Sequence, residues 1–391
     1  MKQAIILAAG EGSRLRPFTV NKPKAMIHIA SKPIIQYVIE SLAVNGIRDI
    51  LLIVGYKREQ VFDYIGDGRQ FGVGVKYLTQ DKQLGTAHAL MQARGLTMDE
   101  FLVLPGDKLI APETLTQIIQ AKPTSILVKH EDHPSRYGVV FLDKGRLTGI
   151  YEKPSYPLSN LVNTGIYVCS SDIFDDIESR LDIPDVINAT LDKGKSVSII
   201  ETDQTWLDVV YPWDILSLNS IILRKIPAGT SGFVEPGVYL KGNVYIGKGT
   251  IIHSGTYISG PVVIGEGCEI GPHVCILSAT SIASNVVIAP FTEVNNSVIS
   301  DDIHIGSGSI IHDTVIDRGC VIGGNFCVSS EETEIKVDSE YYTVKVGAMI
   351  GEACSIKNNV IALPGTIIGN NCQVRPLKVI NGRLPDKSLV V

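Results

Sequence analysis

Residues 240–276 read L-KGNVYI-GKGTII-HSGTYI-SGPVVI-GEGCEI-GPHVCI, and every segment closes on an aliphatic side chain. Leu240, Ile246, Ile252, Ile258, Ile264, Ile270 and Ile276 stand six apart, and Ile282, Ile288 and Val294 continue the series. The spacing then slips by one through Ile299, Ile305 and Ile311, and resumes after an insertion as Ile350, Ile356, Ala362, Ile368 and Val374. A helix repeats near 3.6 residues and an amphipathic strand repeats at two, so neither produces a period of six. Short strands that each send one aliphatic residue inward do, when three of them close one triangular coil of a parallel β-helix. The slip between 294 and 299 and the insertion from about Ser329 to Lys345 are expected to be loops projecting from that solenoid.

Upstream the rhythm changes. Ala4–Leu7, Asp49–Val54, Val75–Leu78 and Phe101–Leu104 are apolar runs of strand length. Between them lie helix-like stretches at Lys57–Ile65 and Thr86–Arg94. Strand–helix alternation predicts an α/β domain with a mostly parallel sheet covered by helices on both faces. Ligands of such sheets bind at the carboxyl ends of the strands. The turn-rich Pro227-Ala228-Gly229-Thr230-Ser231-Gly232, after a helix-like Trp213–Lys225, places the boundary between an α/β domain over 1–226 and a repeat domain over 227–391.

The first strand runs into LAAGEGSRLRPFTVNKPKAM, residues Leu7 to Met26. Glycines let backbone N–H groups approach a phosphate chain, and Arg14, Arg16 and Lys24 bring cations to it. A dinucleotide fingerprint would need glycine at position 15, where the chain has Leu15, and no GxxxxGK[ST] string is present. The stretch resembles the signature of sugar-1-phosphate nucleotidylyltransferases: LAAGxGxRL, then PKAM, then a helix opening at Pro33-Ile34. The resemblance implies a Rossmann-like mixed sheet, followed by a left-handed parallel β-helix of hexapeptide repeats. It also implies that Leu7, Ala8, Ala9 and Gly10 line the nucleotide, with Arg14 at the β/γ-phosphates and Lys24 near the α-phosphate.

Further motifs follow in family order. Gln80-Asp81-Lys82-Gln83-Leu84-Gly85-Thr86 is similar to the pyrimidine-recognition segment QxxQLGT of uridylyltransferases, so Gln80, Gly85 and Thr86 are expected to read the base. Leu104-Pro105-Gly106-Asp107 ends a strand on a carboxylate, and Trp206-Leu207-Asp208-Val209-Val210 resembles the late motif that completes a metal site. Nucleotidyl transfer moves charge between phosphates in line, which calls for Mg²⁺ held by one or two carboxylates, waters and substrate phosphates. Asp107 and Asp208 are the candidates, with Asp214 assigned to a helix start. Tyr137-Gly138, Glu152-Lys153-Pro154 and Asn163-Thr164-Gly165-Ile166-Tyr167 resemble the family's sugar-facing motifs. They place Gly138, Glu152, Lys153 and Asn163 at the sugar phosphate.

The reaction implied is displacement at the α-phosphorus of UTP or dTTP by a sugar 1-phosphate, with pyrophosphate leaving. No protein nucleophile is needed, so catalysis rests on positioning and charge stabilisation. Uridylyl transfer to N-acetylglucosamine 1-phosphate is the leading assignment, and thymidylyl or uridylyl transfer to glucose 1-phosphate is the alternative. Pro105 stands where many N-acetylglucosamine enzymes carry tyrosine, which leaves the sugar open. Two-domain relatives also acetylate glucosamine 1-phosphate with acetyl-CoA in the β-helix. Lys345 sits where archaeal members place a functional lysine, and His312 is the base on offer, but the HLxYxGD and GAGTxxAN strings are missing. The favoured reading of the solenoid is therefore a trimerisation scaffold in which acetyl transfer has been lost or has diverged. A non-catalytic assembly subunit is the competing class. The presence of Arg14, Lys24, Asp107 and Asp208 together speaks against it.

The 391-residue chain carries a net charge of −6, with 45% hydrophobic and 19% charged residues, which argues against a nucleic-acid binder. Seven cysteines form no CxxC pair, and most sit at repeat positions as small buried thiols. No stretch approaches 18 apolar residues and Met1-Lys2-Gln3 leads directly into a strand, so the expectation is a cytoplasmic protein outside the membrane.

Overall fold

The computed structural model describes residues 1–156, 159–337 and 340–391. The chain divides into two compact units, and the division cuts through the signature loop. Met1–Glu11, Asn21–Met26 and Pro33–Asp208 form the first, while Gly12–Val20, Ile27–Lys32 and Val209–Val391 form the second.

In the first unit the strands are β1 (Gln3–Ala8), β2 (Asp49–Val54), β3 (Gly74–Thr79), β4 (Glu100–Pro105), β5 (Lys108–Ile110) and β6 (Ser125–His130). They continue as β7 (Gly138–Asp143), β8 (Arg146–Glu152), β9 (Leu161–Ser170), β10 (Ser198–Glu201) and β11 (Trp206–Asp208). Among the described residues the main sheet has the order β8-β7-β9-β4-β1-β2-β3, with β6 on β9 and β10 on β6. The run β4-β1-β2-β3 is parallel, and β9 enters antiparallel to β4. The sheet is therefore mixed, and the antiparallel strand β9 lies in its interior, between β7 and β4. Ala4, Ile6, Ile50, Leu52, Leu102 and Leu104 face one buried layer, and Ile5, Leu51, Ile53, Phe101 and Val103 face the other. Central strands covered on both faces read as unbroken apolar runs for this reason. The helices are α1 (Ile34–Val44), α2 (Arg58–Ile65), α3 (Thr86–Met91), α4 (Pro112–Ile118), α5 (Ile173–Ile177) and α6 (Ile183–Asp192).

The second unit is the solenoid. Its short strands stack into three parallel sheets of nine, nine and eight strands among the described residues. Ile246 pairs with Ile264 and Ile264 with Ile282, one coil of eighteen residues apart. From Ile246 on, the aliphatic residues of the hexads form one buried column, with Ile246, Ile252, Ile258, Ile264, Ile270 and Ile276 all at 0% exposure, whereas Leu240 in the first coil is 42% exposed. Each such side chain stabilises the coil by roughly 1.5–3 kcal/mol relative to exposure. The corners need left-handed backbone: Gly267 takes φ +65° and Asn285, one coil on, φ +59°.

The slip after Val294 is a corner shortened by one residue, so Val294 pairs with Ile311 at a spacing of seventeen. The same shortening recurs between Ile311 and Ile316, which the sequence reading missed. The insertion is not an irregular loop but an antiparallel hairpin, Glu331–Val337 against Glu340–Val346, in register from Glu331↔Val346. Asp338 and Ser339, between the two strands in the chain, lie outside the described residues. The turn-rich stretch before the repeats already belongs to the first coil, since Gly229–Thr230 pairs with Tyr245–Ile246. Helix α7 (Asp214–Leu223) lies against this coil stack, pinned by Asn219. The Asn219 amide donates to Ala279 O (2.9 Å) and accepts from Ala30 N (3.0 Å) and Ser281 Oγ (2.8 Å).

Candidate active site

Parallel pairing of β1 with β4 brings their carboxyl ends side by side, Leu7 opposite Pro105. Gly106 N then bonds Leu7 O at 2.8 Å. A Cβ at Gly106 would lie 2.8 Å from both Ala8 Cβ and Ile6 Cγ2, so only glycine lets the chain turn here. This turn delivers Asp107 to the end of the sheet. Strand β5 starts at once and pairs antiparallel with β11, with Lys108 opposite Asp208. Two carboxylates 101 positions apart in the chain are thereby set on one point.

That point is the Lys24 ammonium, 2.7 Å from Asp208 Oδ1 and 2.9 Å from Asp107 Oδ2, with only 13% of its side chain exposed. Lys108 Nζ meets the other Asp208 oxygen at 3.1 Å. Burial alone would lower the Lys24 pKa, but the charges of Asp107 and Asp208 outweigh it and hold the ammonium firmly protonated. Burial likewise pushes the Asp208 carboxyl up, and Lys108 and Lys24 overcome it, so the group stays well below the usual carboxylate range. The pair fits a hard divalent cation: two oxygen donors converge on a position already chosen by a positive charge. Among the described residues no cluster of three or more His, Cys, Asp and Glu side chains could hold a metal. The remaining ligands of Mg²⁺ would be substrate phosphates and waters, the usual arrangement for that ion.

Ala8 and Ala9 are buried at 5% exposure, whereas Gly10 is exposed with open space where a Cβ would project. Beside them Gly55, a residue the sequence reading did not single out, has Gln83 Nε2, Gln80 O and Ala9 Cβ at 2.6–3.0 Å from a virtual Cβ. Gln80 is 3% exposed, and its Nε2 donates to Gly85 O (3.0 Å) and pairs with His88 Nδ1 (2.9 Å). Gly85, at φ +145°, packs onto Leu181, where a Cβ would come within 2.4 Å of the carbonyl. Thr86 donates its backbone N–H and its hydroxyl to Asp182 Oδ1 and receives Ile183 N–H at 2.9 Å, so α3 and α6 cap one another. The Gln80 amide and the Thr86 hydroxyl therefore build the turn, and Asp81, Lys82, Gln83 and Leu84 between them are exposed.

Of the residues expected at the sugar, Gly138 stands opposite Glu152, and a Cβ there would lie 3.4 Å from Glu152 Oε1. Burial raises the Glu152 carboxyl, Lys153 and Lys108 pull it down, and Asp182 and Asp185 push it up again. Lys153 follows in a left-handed conformation, φ +42°, its N–H on Tyr137 O at 3.0 Å. Asn163 is 7% exposed: its Nδ2 donates to the Tyr167 hydroxyl and its Oδ1 accepts Gly165 N–H at 3.0 Å. Both ends of that amide are used inside β9. Trp206, buried to 1%, donates Nε1–H to Thr164 O at 3.0 Å and meets the Tyr137 ring at 5.2 Å.

The second unit holds the other residues. Gly12 takes φ +73° and its carbonyl accepts the Thr19 hydroxyl at 2.7 Å, closing the loop that exposes Arg14. Asp214 accepts Val210 N–H and Tyr211 N–H at 2.9 and 2.8 Å, a turn-closing role consistent with its assignment to a helix start. His312 Nε2 pairs with Glu293 Oε1 at 2.8 Å. Lys345 lines a cavity of about 520 Å³ with Asn296 and Asp313, walled by Trp213, Leu216 and Ile221 of the α7 region.

The Nucleotidyl transferase family matches residues 3–225, and the family described as GlmU-like, C-terminal hexapeptide matches 263–350. A "Bifunctional protein GlmU" of Methanocaldococcus jannaschii is 37% identical over 386 residues, covering 95% of this chain and 93% of its own. A "Bifunctional sugar-1-phosphate nucleotidylyltransferase/acetyltransferase" of Sulfurisphaera tokodaii is 36% identical over 398 residues, covering 97% of each. The crystal structure of a putative glucose-1-phosphate thymidylyltransferase from Bacillus anthracis superposes with a TM-score of 0.53 at 31% identity, over 59% of this chain and 97% of that one. The mixed sheet with its convergent lysine and carboxylates, joined to a hexapeptide left-handed β-helix, belongs to an enzyme: this chain is a member of the nucleotidyl transferase family in its two-part, GlmU-like form.

Proposed function

We propose that the first half transfers UMP from UTP to N-acetylglucosamine 1-phosphate and releases pyrophosphate. The observation that carries this reading is the Lys24 ammonium held between Asp107 and Asp208 at the carboxyl end of the parallel strands. Mg²⁺ bound by the two carboxylates supplies positive charge to the triphosphate. The protein's share is placement: Lys24 holds the α-phosphate, Arg14 the β- and γ-phosphates, and buried Ala8 and Ala9 with the close-packed Gly55 present the Gln80–Thr86 turn to the base. Glu152 accepts sugar hydroxyls, with Gly138 clearing the space and Asn163 shaping the strand beside it. Lys153 approaches the sugar phosphate. Fixed charges in a partly desolvated site need no reorganisation as the α-phosphate is attacked.

Glucose 1-phosphate with dTTP or UTP is the neighbouring assignment, supported by Pro105 and by the likeness to the thymidylyltransferase of Bacillus anthracis. Pyrophosphate release from UTP and dTTP, each with a panel of sugar 1-phosphates and Mg²⁺, decides between them. N-acetylglucosamine 1-phosphate with UTP is expected to have the highest kcat/KM, and silence across the panel overturns the enzyme reading.

A second reading concerns the solenoid, which we assign to acetyl transfer from acetyl-CoA to glucosamine 1-phosphate. The cavity with Lys345, Asp313 and Asn296 on one wall and Trp213, Leu216 and Ile221 on the other supports it, as does the likeness to the two bifunctional relatives. Thiol release from acetyl-CoA with glucosamine 1-phosphate tests it, and no release leaves the scaffold role alone. We assign a homotrimer through the β-helix, supported by one prism face whose outward residues include Tyr239, Tyr257, Ile310, Ile361 and Val379, exposed by 37–70%. The cytoplasm, where nucleoside triphosphates are made and spent, is the compartment we assign. No described helix is long and apolar enough to cross a membrane.

A further inference from the structure

Lys108 is absent from the motifs that the sequence supplies, and its surroundings are unusual for a lysine. Its ammonium lies 4.3 Å from the centre of the Trp206 ring and 5.1 Å from that of Tyr137, while meeting Asp208 Oδ2 at 3.1 Å. Trp206 is itself fixed by its bond to Thr164 O, and the backbone of Lys108 is fixed by its register opposite Asp208. Only 16% of the lysine side chain is exposed. A free lysine carries large rotamer entropy, and here two aromatic faces and a ladder have already removed most of it.

We propose that Lys108 is a binding residue for the phosphate of the sugar 1-phosphate, a resident cation on the attacking side of the reaction. The inference rests on the nucleotidyl-transfer reading above. An ammonium has three donors and no acceptor, and Asp208 engages one of them here. Lys24 stands between the two carboxylates and serves the triphosphate. Lys108 stands between Asp208 and the Tyr137 ring, and the neighbour of Tyr137, Gly138, lies opposite the sugar-facing Glu152 in the ladder. Bringing a phosphate dianion up to a triphosphate sets like charges together, and a fixed cation on each partner lowers that repulsion. A lysine needed only to neutralise Asp208 would duplicate Lys24, which already bonds that carboxylate at 2.7 Å.

Lys108→Gln and Lys108→Arg in the full chain test the assignment. Pyrophosphate release is measured with each substrate varied, and calorimetry compares binding of N-acetylglucosamine 1-phosphate with that of N-acetylglucosamine. Loss of one charge-assisted hydrogen bond predicts that Lys108→Gln raises KM for the sugar 1-phosphate by about tenfold or more, with KM for the triphosphate held within about twofold. Binding of the neutral sugar stays unchanged, and Lys108→Arg recovers most of the loss. Should Lys108→Gln fail to fold, Lys108→Met keeps the stem over the two rings and carries the same measurements. Equal rises in both KM values, or no change in the sugar-phosphate KM, overturn the proposal. If the unaltered enzyme turns over no substrate pair, the function reading fails, and calorimetry still decides this one: sugar 1-phosphate binding that depends on Lys108 sustains it, and binding that ignores Lys108 overturns it.

Discussion

Lys24 makes two charge-assisted contacts inside a site where Lys108 is bound to only one of the two carboxylates. Lys24→Ala therefore leaves Asp107 without that partner while Asp208 keeps one. Turnover is expected to fall by about 10²–10³, the cost of removing one preorganised charge-stabilising donor. Thermal unfolding of the same variant should show the fold retained, and near-normal pyrophosphate release would overturn the role of Lys24. Asp208 also makes an acid-stability prediction. Its carboxyl titrates below the unfolded value in the folded chain, so its contribution is complete above the unfolded pKa of about 3.9 and disappears as pH falls through the folded value. Urea unfolding of Asp208→Asn between pH 5 and pH 3 should show a shallower acid slope than the parent chain. At this scale the motif residues were legible because the family spacing names them one by one. Lys108 and Gly55 were not, since their meaning comes from a ladder partner and from a close approach of distant backbone.

Asn219 shows what an element requires. It is 0% exposed in the middle of α7 and satisfies an N–H, a carbonyl and a hydroxyl from two other segments of its unit. Asn219→Ala leaves those groups buried and unpaired, and a loss of about 3 kcal/mol in urea unfolding is expected from the usual penalty per unsatisfied group. A second element-scale prediction concerns the corner ladder Glu235–His253–Glu269, with imidazole contacts of 3.0 and 3.1 Å. The Glu235 hydrogen bond raises the His253 pKa, so the ladder stabilises fully below the unfolded value near 6.5 and weakens as pH rises through the folded one. His253→Gln should remove that decline above neutral pH in thermal unfolding, by a small margin because the groups are partly exposed. The hexads that form these corners were readable from spacing alone. The hairpin at 331–346 was expected as a loop because its alternation, interrupted at the tip, shows no partner until the two arms are paired.

For the whole molecule, one prism face carries a column of exposed tyrosine and aliphatic side chains, with Glu293 in line beside Ile310. Tyr239, Tyr257, Ile310, Ile361 and Val379 sit one coil apart or at small multiples of it, while the hexad aliphatics behind them are buried. Ile310→Asp adds a second charge to that column, beside Glu293. It is expected to shift the proposed trimer toward monomer in light scattering at micromolar concentration, with the β-rich circular dichroism retained. An unchanged mass would assign the trimer contact to another face. The compact units themselves are not the simple halves of the chain: Gly12–Val20 and Ile27–Lys32, near the amino terminus, belong with the solenoid.

Periodicity and spacing by themselves determined the β-helix, the strand–helix alternation and the order of the motifs. Those signals are local: a hexad or a glycine-rich turn constrains its own few residues whatever surrounds it. Tertiary structure alone decided which side chains of the motifs point into the site and which, like those of Thr86 and Asn163, hold it together. It alone brought Asp107, Asp208, Lys24 and Lys108 into one cluster. The reason is that convergence across a hundred or more residues is set by strand register and packing, which no window of sequence contains.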